Sequence, residues 1–210
     1  MNGHPLDINL TGAGKRHGRQ WILRDINLHV PAGSMHVLLG ANGSGKSSLL
    51  RMMCGFDRAS EGQVEWKCGA TAVDAMSLPL HIAYCAPDQD LIADLTVQEH
   101  IRLHWSLRRA WEGLTASDCL GLAMLETKGD ARVGDLSSGM RQRLALALAL
   151  ATDSSGLFLD EPTSHLDGAG RHWYGEQLKQ WRRGRTVVVA SNHNTAEFPG
   201  ADVEWELPPS

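Results

Sequence analysis

The chain has 210 residues, of which 42% are hydrophobic and 21% are charged, and its formal net charge is −4. This length and composition suit one soluble globular domain, or one domain that carries an inserted subdomain. The negative balance, with no long run of Lys or Arg, argues against binding nucleic acid or an anionic membrane through a basic face.

The sequence predicts no membrane span, leader peptide or disulfide framework. Apolar runs stay well short of the roughly 20 residues that cross a bilayer. The first residues lack the charged-then-apolar layout of a signal peptide. The four cysteines are widely spread, at Cys54, Cys68, Cys85 and Cys119. We therefore expect isolated thiols in a reducing cytosol.

Hydrophobic patterning divides the chain into strands and helices in alternating order. Apolar and polar side chains alternate, as in half-buried strands, at residues 6–10, 25–30 and 63–68. Continuous apolar runs, typical of parallel strands covered by helices on both faces, occur at 35–40, 81–86, 156–160 and 186–191. Helical patterns are found at 46–54, 97–110, 139–152 and 168–182. The alternation indicates an α/β fold.

The stretch from about 88 to 143 interrupts this alternation, because it is mostly helical and punctuated by glycines. It predicts a helical insertion into an α/β core that comprises residues 1–87 and 144–210. Within the insertion, His100 and His104 stand one helical turn apart. Nothing nearby completes a metal site, so we expect both histidines on the surface.

Residues 40–47 read GANGSGKS, which is a complete G-x-x-x-x-G-K-[ST] phosphate-binding motif. It stands between a predicted strand and a predicted helix, as its mechanics require. Positive φ at the glycines lets backbone N–H groups close on the phosphates, and the helix N-terminus adds its positive partial charge. A chance glycine-rich turn is the alternative reading. The predicted nucleotide-binding residues are Gly40, Ala41, Asn42, Gly43, Ser44, Gly45, Lys46, Ser47 and Ser48.

Two side chains of this motif have individual predicted roles. Lys46 can reach the β- and γ-phosphates, and the Ser47 hydroxyl can ligate Mg²⁺. The motif therefore predicts nucleotide binding but does not indicate which reaction the nucleotide undergoes.

The segment GLFLDEPTSHLD at 156–167 supplies carboxylates for a hydrolytic site. Asp160 ends a buried strand at the edge of the sheet where α/β proteins bind ligands, so we expect it to hold Mg²⁺, through a water. Glu161 follows directly and suits a general base that orients water at the γ-phosphate. The alternative is that both residues open a turn before Pro162.

The sequence resembles the ATP-binding cassette (ABC) ATPase family over nearly its whole length. The order of motifs carries the resemblance: phosphate loop, helical insertion, LSSGM, LFLDEP, SHLD, and a strand followed by His193. The resemblance implies a P-loop NTPase core with a mainly parallel sheet, an antiparallel β subdomain and an inserted helical subdomain. The implied division is a core with β subdomain at 1–87 and 144–210, and a helical subdomain at about 88–143.

LSSGM at 136–140 resembles the family signature that is usually written LSGGQ. In the family this segment binds the γ-phosphate of ATP held by a second cassette, so that two cassettes sandwich two nucleotides head to tail. Ser137 and Gly139 match the signature, whereas Ser138 replaces a glycine and Met140 replaces the glutamine. A serine hydroxyl can still donate a hydrogen bond there. SHLD matches the D-loop and implies that Asp167 lies near the dimer interface.

Two further positions follow from the resemblance. His193 fits the switch histidine that contacts the γ-phosphate and helps to hold the attacking water. The family also has a glutamine that senses Mg²⁺ near the start of the helical insertion. Counting places Pro87 or Asp88 there, with Gln89 one or two residues late. Either Gln89 reaches the metal through a shifted loop or Asp88 replaces it, and we favour Gln89.

The aromatic residue that stacks on adenine in the family is also replaced. His17 occupies the matching place and can stack, although more weakly, and Trp21 follows four residues later. Trp21 is alternatively a core residue, as the neighbouring Ile22 and Leu23 suggest. Base recognition is therefore less well specified than phosphate binding.

The resemblance implies an ATPase subunit of an ABC transporter that uses ATP and Mg²⁺. Its expected partners are a second cassette, another copy of the chain, and a separate integral membrane permease docked near residues 87–100. No nucleic acid partner is expected, and the protein would be cytoplasmic and peripheral to the inner face of the cell membrane. The alternatives are a soluble ABC ATPase without a membrane partner, and a cassette that binds ATP but hydrolyses it poorly. A P-loop kinase would leave LSSGM and Glu161 without a role.

Overall fold

Two β-sheets frame the structure, a computed structural model that describes residues 4–87 and 91–207. The larger sheet has five strands, all parallel, in the order β6-β7-β8-β3-β9. Its strands are β3 (Met35–Leu39), β6 (Ile82–Cys85), β7 (Gly156–Asp160), β8 (Thr186–Ser191) and β9 (Val203–Glu206). Every residue of β3, β7 and β8 is buried, which explains their continuous apolar sequences.

The second sheet is antiparallel and has four strands in the order β2-β1-β4-β5. Its strands are β1 (Leu6–His17), β2 (Gln20–Val30), β4 (Glu61–Cys68) and β5 (Thr71–Val73). Leu6, Ile8 and Leu10 alternate with more exposed residues and are buried in the core shared by both sheets. One-sided burial of an antiparallel sheet produces this alternation.

Five α-helices occupy the described residues, and a cap defines the start of most of them. They are α1 (Lys46–Met53), α2 (Val97–Leu107), α3 (Ala116–Leu122), α4 (Ser138–Ala151) and α5 (Gly168–Trp181). Thr96 and Glu99 form a capping box at the start of α2, and Thr115 and Asp118 form another at the start of α3. These reciprocal bonds satisfy N–H groups that have no partner inside the helix.

Helix α4 joins the two halves of the structure, because its alanines and leucines are buried on nearly every face. Ala145, Leu146, Ala149 and Leu150 pack against the parallel sheet. Leu144, Ala147, Leu148 and Ala151 pack instead against α2 and α3. The predicted subdomain boundary at residue 143 therefore falls inside a single continuous helix.

The surface position expected for His100 and His104 is wrong. His100 is only 8% exposed, and the Nε2 atom of His104 lies 2.9 Å from the Thr152 hydroxyl at the end of α4. Burial lowers the pKa of His104 to about 4. The sequence pattern of α2 alone could not predict this contact, because Thr152 is 48 residues away from His104 in the sequence.

Two other expectations concern the thiols and the membrane spans. All four cysteines are free, as expected. Among the residues that the structure describes, no helix combines the length and apolarity needed to pass through a bilayer.

Candidate active site

The GANGSGKS loop lies between β3 and α1, at the carboxyl edge of the parallel sheet. The predicted positive φ is confirmed at Gly40 (+151°), Gly43 (+86°) and Gly45 (+94°). At Gly45 space is also restricted, since a Cβ would lie 2.9 Å from the Leu23 Cδ2 atom. At Gly43 a Cβ would meet no protein atom within 4 Å. The loop is therefore packed against β2 on one side and open on the other.

The open side of the loop forms part of a cavity of about 300 Å³. The cavity is lined by Ile22, Asn42, Gly43, Gly45, Lys46, Ser47, Ser48 and Glu161. Parallel pairing explains why Glu161 reaches this place, because β7 and β3 both end at the same edge of the sheet. The structure thus brings the predicted general base into one cavity with the phosphate loop.

The Lys46 amine is buried within the loop itself. Its Nζ atom donates to the carbonyl oxygens of Gly40 at 2.7 Å and Ala41 at 2.9 Å. Both acceptors are neutral, so these bonds orient the ammonium group without cancelling its charge. An anion in the cavity would gain a charge-assisted bond from this group.

Two buried polar atoms at the site have no hydrogen-bond partner among the described residues: the Ser44 hydroxyl and Oδ1 of Asp160. Asp160 is 6% exposed, and its carboxylate is hydrogen-bonded by Ser47. Burial raises the pKa of the Asp160 carboxyl, and the Ser47 bond opposes that change. Seven buried side-chain polar atoms of the described residues lack a partner, and these two are the ones at the phosphate loop and the end of β7, where a bound phosphate or cation would satisfy them.

The oxygen donors of Ser47 and Asp160 fit Mg²⁺, which prefers oxygen and is commonly held by one or two carboxylates together with substrate phosphates. Among the described residues there is no cluster of three or more His, Cys, Asp or Glu side chains suited to a metal.

Glu161 and His193 both lie in turns that directly follow buried strands, and both have left-handed backbones, with φ of +38° and +55°. The Glu161 N–H donates to the Ala190 carbonyl at 2.9 Å, which ties the end of β7 to β8. The His193 Nε2 atom lies 3.4 Å from Oε1 of Glu206, and its side chain is 53% exposed. His193 therefore stands beside the last residue of β9 and is not among the residues that line the cavity.

The LSSGM segment forms the start of α4. Ser137 is the N-cap, and its hydroxyl accepts the Met140 N–H at 3.3 Å. Ser137 and Ser138 are exposed, whereas Met140 packs against the apolar cluster that α4 forms with α2 and α3. A Cβ on Gly139 would lie 3.1 Å from the His165 carbonyl, so a small residue suits this position. None of these residues lines the phosphate-loop cavity of the same chain.

Comparison with known proteins identifies the family. The family model for ABC transporters matches residues 23–164. The chain belongs to the ABC transporter family. It is 38% identical over 181 residues to the sulfate/thiosulfate import ATP-binding protein CysA of Nephroselmis olivacea, which covers 85% of this chain and 51% of that protein. It is 34% identical over 194 residues to the Nod factor export ATP-binding protein I of Rhizobium johnstonii, covering 90% of this chain and 62% of that protein.

This ABC chain thus spans between about half and two thirds of the length of these curated relatives. Solved structures agree in fold. A dimeric bacterial ABC transporter cassette is 27% identical with a TM-score of 0.79, covering 95% of this chain and 94% of that chain. A bacterial Atm1-family ABC exporter with ATP bound is 22% identical with a TM-score of 0.80, covering 97% and 37%. The predicted fold class, a P-loop NTPase α/β core with an additional antiparallel sheet, is confirmed.

The roles predicted for the site residues of this ABC chain stay predictions. His17 is exposed at the end of β1, and the ring of Trp21 lies between the guanidinium groups of Arg16 and Arg24, at 5.8 Å and 5.1 Å. Ile22, on the other face of β2, is the residue that lines the cavity. Asp88 and Gln89 lie outside the described residues. Asp167 is the N-cap of α5, where its carboxylate accepts the Gly170 N–H at 2.7 Å.

Sequence reasoning missed the polar residues that hold the turns of Glu161 and His193. Asn192 donates to the Asn42 side chain at 3.2 Å and so connects the turn of His193 to the phosphate loop. Gln142 of α4 donates to the Pro162 carbonyl at 2.9 Å, beside Glu161. The position of Asn192 directly after the buried strand β8 was the available signal for that residue, and the partners of both residues are distant in the sequence.

Proposed function

We propose that this ABC chain binds ATP with Mg²⁺ and hydrolyses the ATP, as the motor subunit of a transporter whose membrane subunit is a separate protein. The observation that carries the proposal is the cavity in which the GANGSGKS loop and Glu161 face each other. A loop suited to phosphates and a carboxylate suited to activating water are then within one site. We also propose that 1–87 with 144–210 and about 88–143 act as core and helical subdomains.

In this mechanism the loop N–H groups and Lys46 hold the β- and γ-phosphates. Ser47 and Asp160 would hold Mg²⁺, which when bound supplies positive charge against the phosphate oxygens. Glu161 accepts a proton from water while the water oxygen forms a bond to the γ-phosphorus. The bond from that phosphorus to the bridging oxygen breaks, and ADP and inorganic phosphate leave. His193 steadies the γ-phosphate and the attacking water.

A second copy completes the site in this proposal. Ser137, Ser138 and Gly139 begin α4, where unpaired N–H groups and the helix dipole suit an anion. Because they do not line the cavity of their own chain, we assign them to the γ-phosphate held by a second copy, packed head to tail. Closing and opening of that dimer would move a membrane subunit docked near residues 87–100. The chain would then work at the inner face of the cell membrane.

A second candidate function is a cassette that binds ATP but hydrolyses it slowly. The contact of His193 with Glu206, outside the cavity, favours it. So does the packing of Met140 among apolar residues, which leaves the signature without its terminal amide. The two candidates differ only in turnover, so one assay separates them.

The test is release of inorganic phosphate from ATP by the purified chain, compared with Glu161→Gln and with the exposed control Glu65→Gln. We expect turnover that needs Mg²⁺ and is lost with EDTA. Loss of the general base should lower it by about 100-fold or more, and Glu65→Gln should match the parent. Turnover that is no higher in the parent than in Glu161→Gln would remove the enzymatic claim and leave the second candidate.

A further inference from the structure

Glu197 is a buried carboxylate to which the proposed mechanism gives no role. It is 3% exposed and lies in a short 3-10 turn after β8. Its Oε1 atom accepts the Thr163 hydroxyl at 2.7 Å and the Thr163 N–H at 3.2 Å. Its Oε2 atom accepts the Ser191 hydroxyl at 2.5 Å. One carboxylate therefore bonds both to the turn after β7 and to the last residue of β8.

The turns that follow β7 and β8 carry the residues proposed to act on the γ-phosphate. Thr163 lies two residues after Glu161, and Ser191 lies two residues before His193. A further bond closes the ring, because the Asn194 side chain donates to the Thr163 hydroxyl at 2.8 Å. The Asn194 N–H also donates to the Ser191 hydroxyl, at 3.2 Å. The network thus spans from the turn after β7 to the turn after β8.

The backbone at both turns needs such support. Glu161 and His193 have positive φ, a conformation that residues other than glycine keep only when their surroundings impose it. Glu197 is itself held in place, since the buried Tyr174 hydroxyl of α5 donates to its main-chain carbonyl at 2.8 Å. Burial excludes competing water, and charge-assisted bonds are shorter and stronger than neutral ones. The carboxylate is therefore a rigid connection between the two turns.

We propose that Glu197 is a positioning residue, which holds the turn of His193 at a set distance from the turn of Glu161. The proposal rests on the proposed function, in which these two residues act on the γ-phosphate of ATP. Displacing a reacting group by about 1 Å can lower a rate by about 100-fold. Loss of the connection should consequently lower kcat and leave the phosphate loop, and with it the KM for ATP, nearly unchanged.

Two substitutions of Glu197 test the proposal by ATP turnover. Glu197→Ala removes all three bonds and should lower kcat by about tenfold or more, with the KM for ATP within about twofold of the parent. Glu197→Gln keeps a carbonyl oxygen for Thr163 and offers an amide to the Ser191 hydroxyl. It should therefore restore most of kcat, because the role is geometric.

A double-mutant comparison tests whether Glu197 acts through His193. In a His193→Ala background, Glu197→Ala should lower kcat much less than in the parent, because the positioned group is already gone. Thermal unfolding and ATP titration of each variant identify any general loss of folding. If Glu197→Ala does not fold, Ser191→Ala replaces it, since that change removes the bond from Ser191 to Glu197 and the bond from the Asn194 N–H, and leaves both bonds of Glu197 to Thr163 in place.

The outcomes separate this inference from the proposed function. No turnover in the parent above Glu161→Gln contradicts the proposed function, and the inference with it. An active parent with unchanged kcat in Glu197→Ala or its replacement Ser191→Ala overturns the inference alone. Equal losses for Glu197→Ala in the parent and in the His193→Ala background also overturn it. A KM for ATP that rises in step with the fall in kcat overturns it as well.

Discussion

Two glycines of the phosphate loop should respond to the same substitution in different ways. At Gly45 an alanine requires a left-handed backbone with φ of +94° and places its Cβ 2.9 Å from Leu23 and 3.1 Å from Ile22. Leu23 is buried and cannot easily move. At Gly43 the backbone is similar, with φ of +86°, but the Cβ meets no protein atom within 4 Å.

The free energies follow from these environments. The left-handed conformation costs about 1–2 kcal/mol in either variant, and crowding adds about 1–3 kcal/mol in Gly45→Ala alone. For a chain of this size about 1 kcal/mol corresponds to about 2–4 °C in Tm. We therefore expect Gly45→Ala to lower Tm by about 10 °C and Gly43→Ala by about 4 °C. Thermal unfolding without nucleotide measures both values.

For the loss of ATP affinity we expect the opposite order of the two variants. Gly43 lines the cavity, so a methyl group there occupies space that the phosphates need. Titration with ATP should show a large loss of affinity in Gly43→Ala even though this variant is the more stable of the two. Equal decreases in Tm, or parent-like ATP affinity in Gly43→Ala, would contradict the assignment of a packed side and an open side to the loop.

Three further predictions concern the signature, a buried histidine and a buried arginine. Ser137→Arg in a Glu161→Gln background should retain ATP binding but lose ATP-dependent dimers in size-exclusion chromatography; dimers of normal stability would contradict the assignment to a second copy. Burial lowers the pKa of His104 to about 4, below its unfolded value of about 6.5. As pH falls from about 6.5 to 4 the unfolded state takes up the proton first, so stability is lost in that window. The urea midpoint should therefore fall more between pH 7 and pH 5 in the parent than in His104→Gln, and equal decreases would exclude this cause. Arg185, 2% exposed, donates to carbonyls at the ends of α4 and α5, so Arg185→Leu should destabilise the fold by about 3 kcal/mol or more. The exposed control Lys179→Leu should change stability by about 0.5 kcal/mol or less in the same denaturation assay, and similar values for both would argue against the buried network.

The parts of the fold that were predictable have local causes. The phosphate loop is specified by glycine spacing and by the strand and helix on either side, and its backbone agrees with the prediction at Gly40, Gly43 and Gly45. The buried strands β3, β7 and β8 were visible as continuous apolar runs. Helix α4 was visible for the same reason, since nearly all its faces are buried.

The missed elements are short or depend on distant partners. Helix α3 has seven residues and β5 has three, which is too few for a clear periodicity. Strand β9 is mostly exposed along its length and is defined by pairing with β3, about 170 residues earlier in the chain.

In the candidate active site, too, residues with local signals could be predicted and residues defined by distant partners could not. Asp160 and Glu161 follow one another in a recognisable segment, so they could be predicted. Glu197 could not, because its carboxylate bonds to Thr163 across 34 residues of sequence and only the fold brings the two together. His193 could be named from its position after β8, but its contact with Glu206 is a property of the folded sheet.

In the proposed dimer two copies of this chain enclose two ATP molecules, and each copy supplies half of each site. The most direct measurement is the mass of the Glu161→Gln variant with and without ATP by light scattering, combined with the nucleotide content of the separated species. We expect a chain of 22.9 kDa without nucleotide, and with ATP a species of twice that mass that holds one ATP per chain. A variant that binds ATP but keeps the mass of a single chain, at concentrations where the nucleotide is saturating, would contradict it.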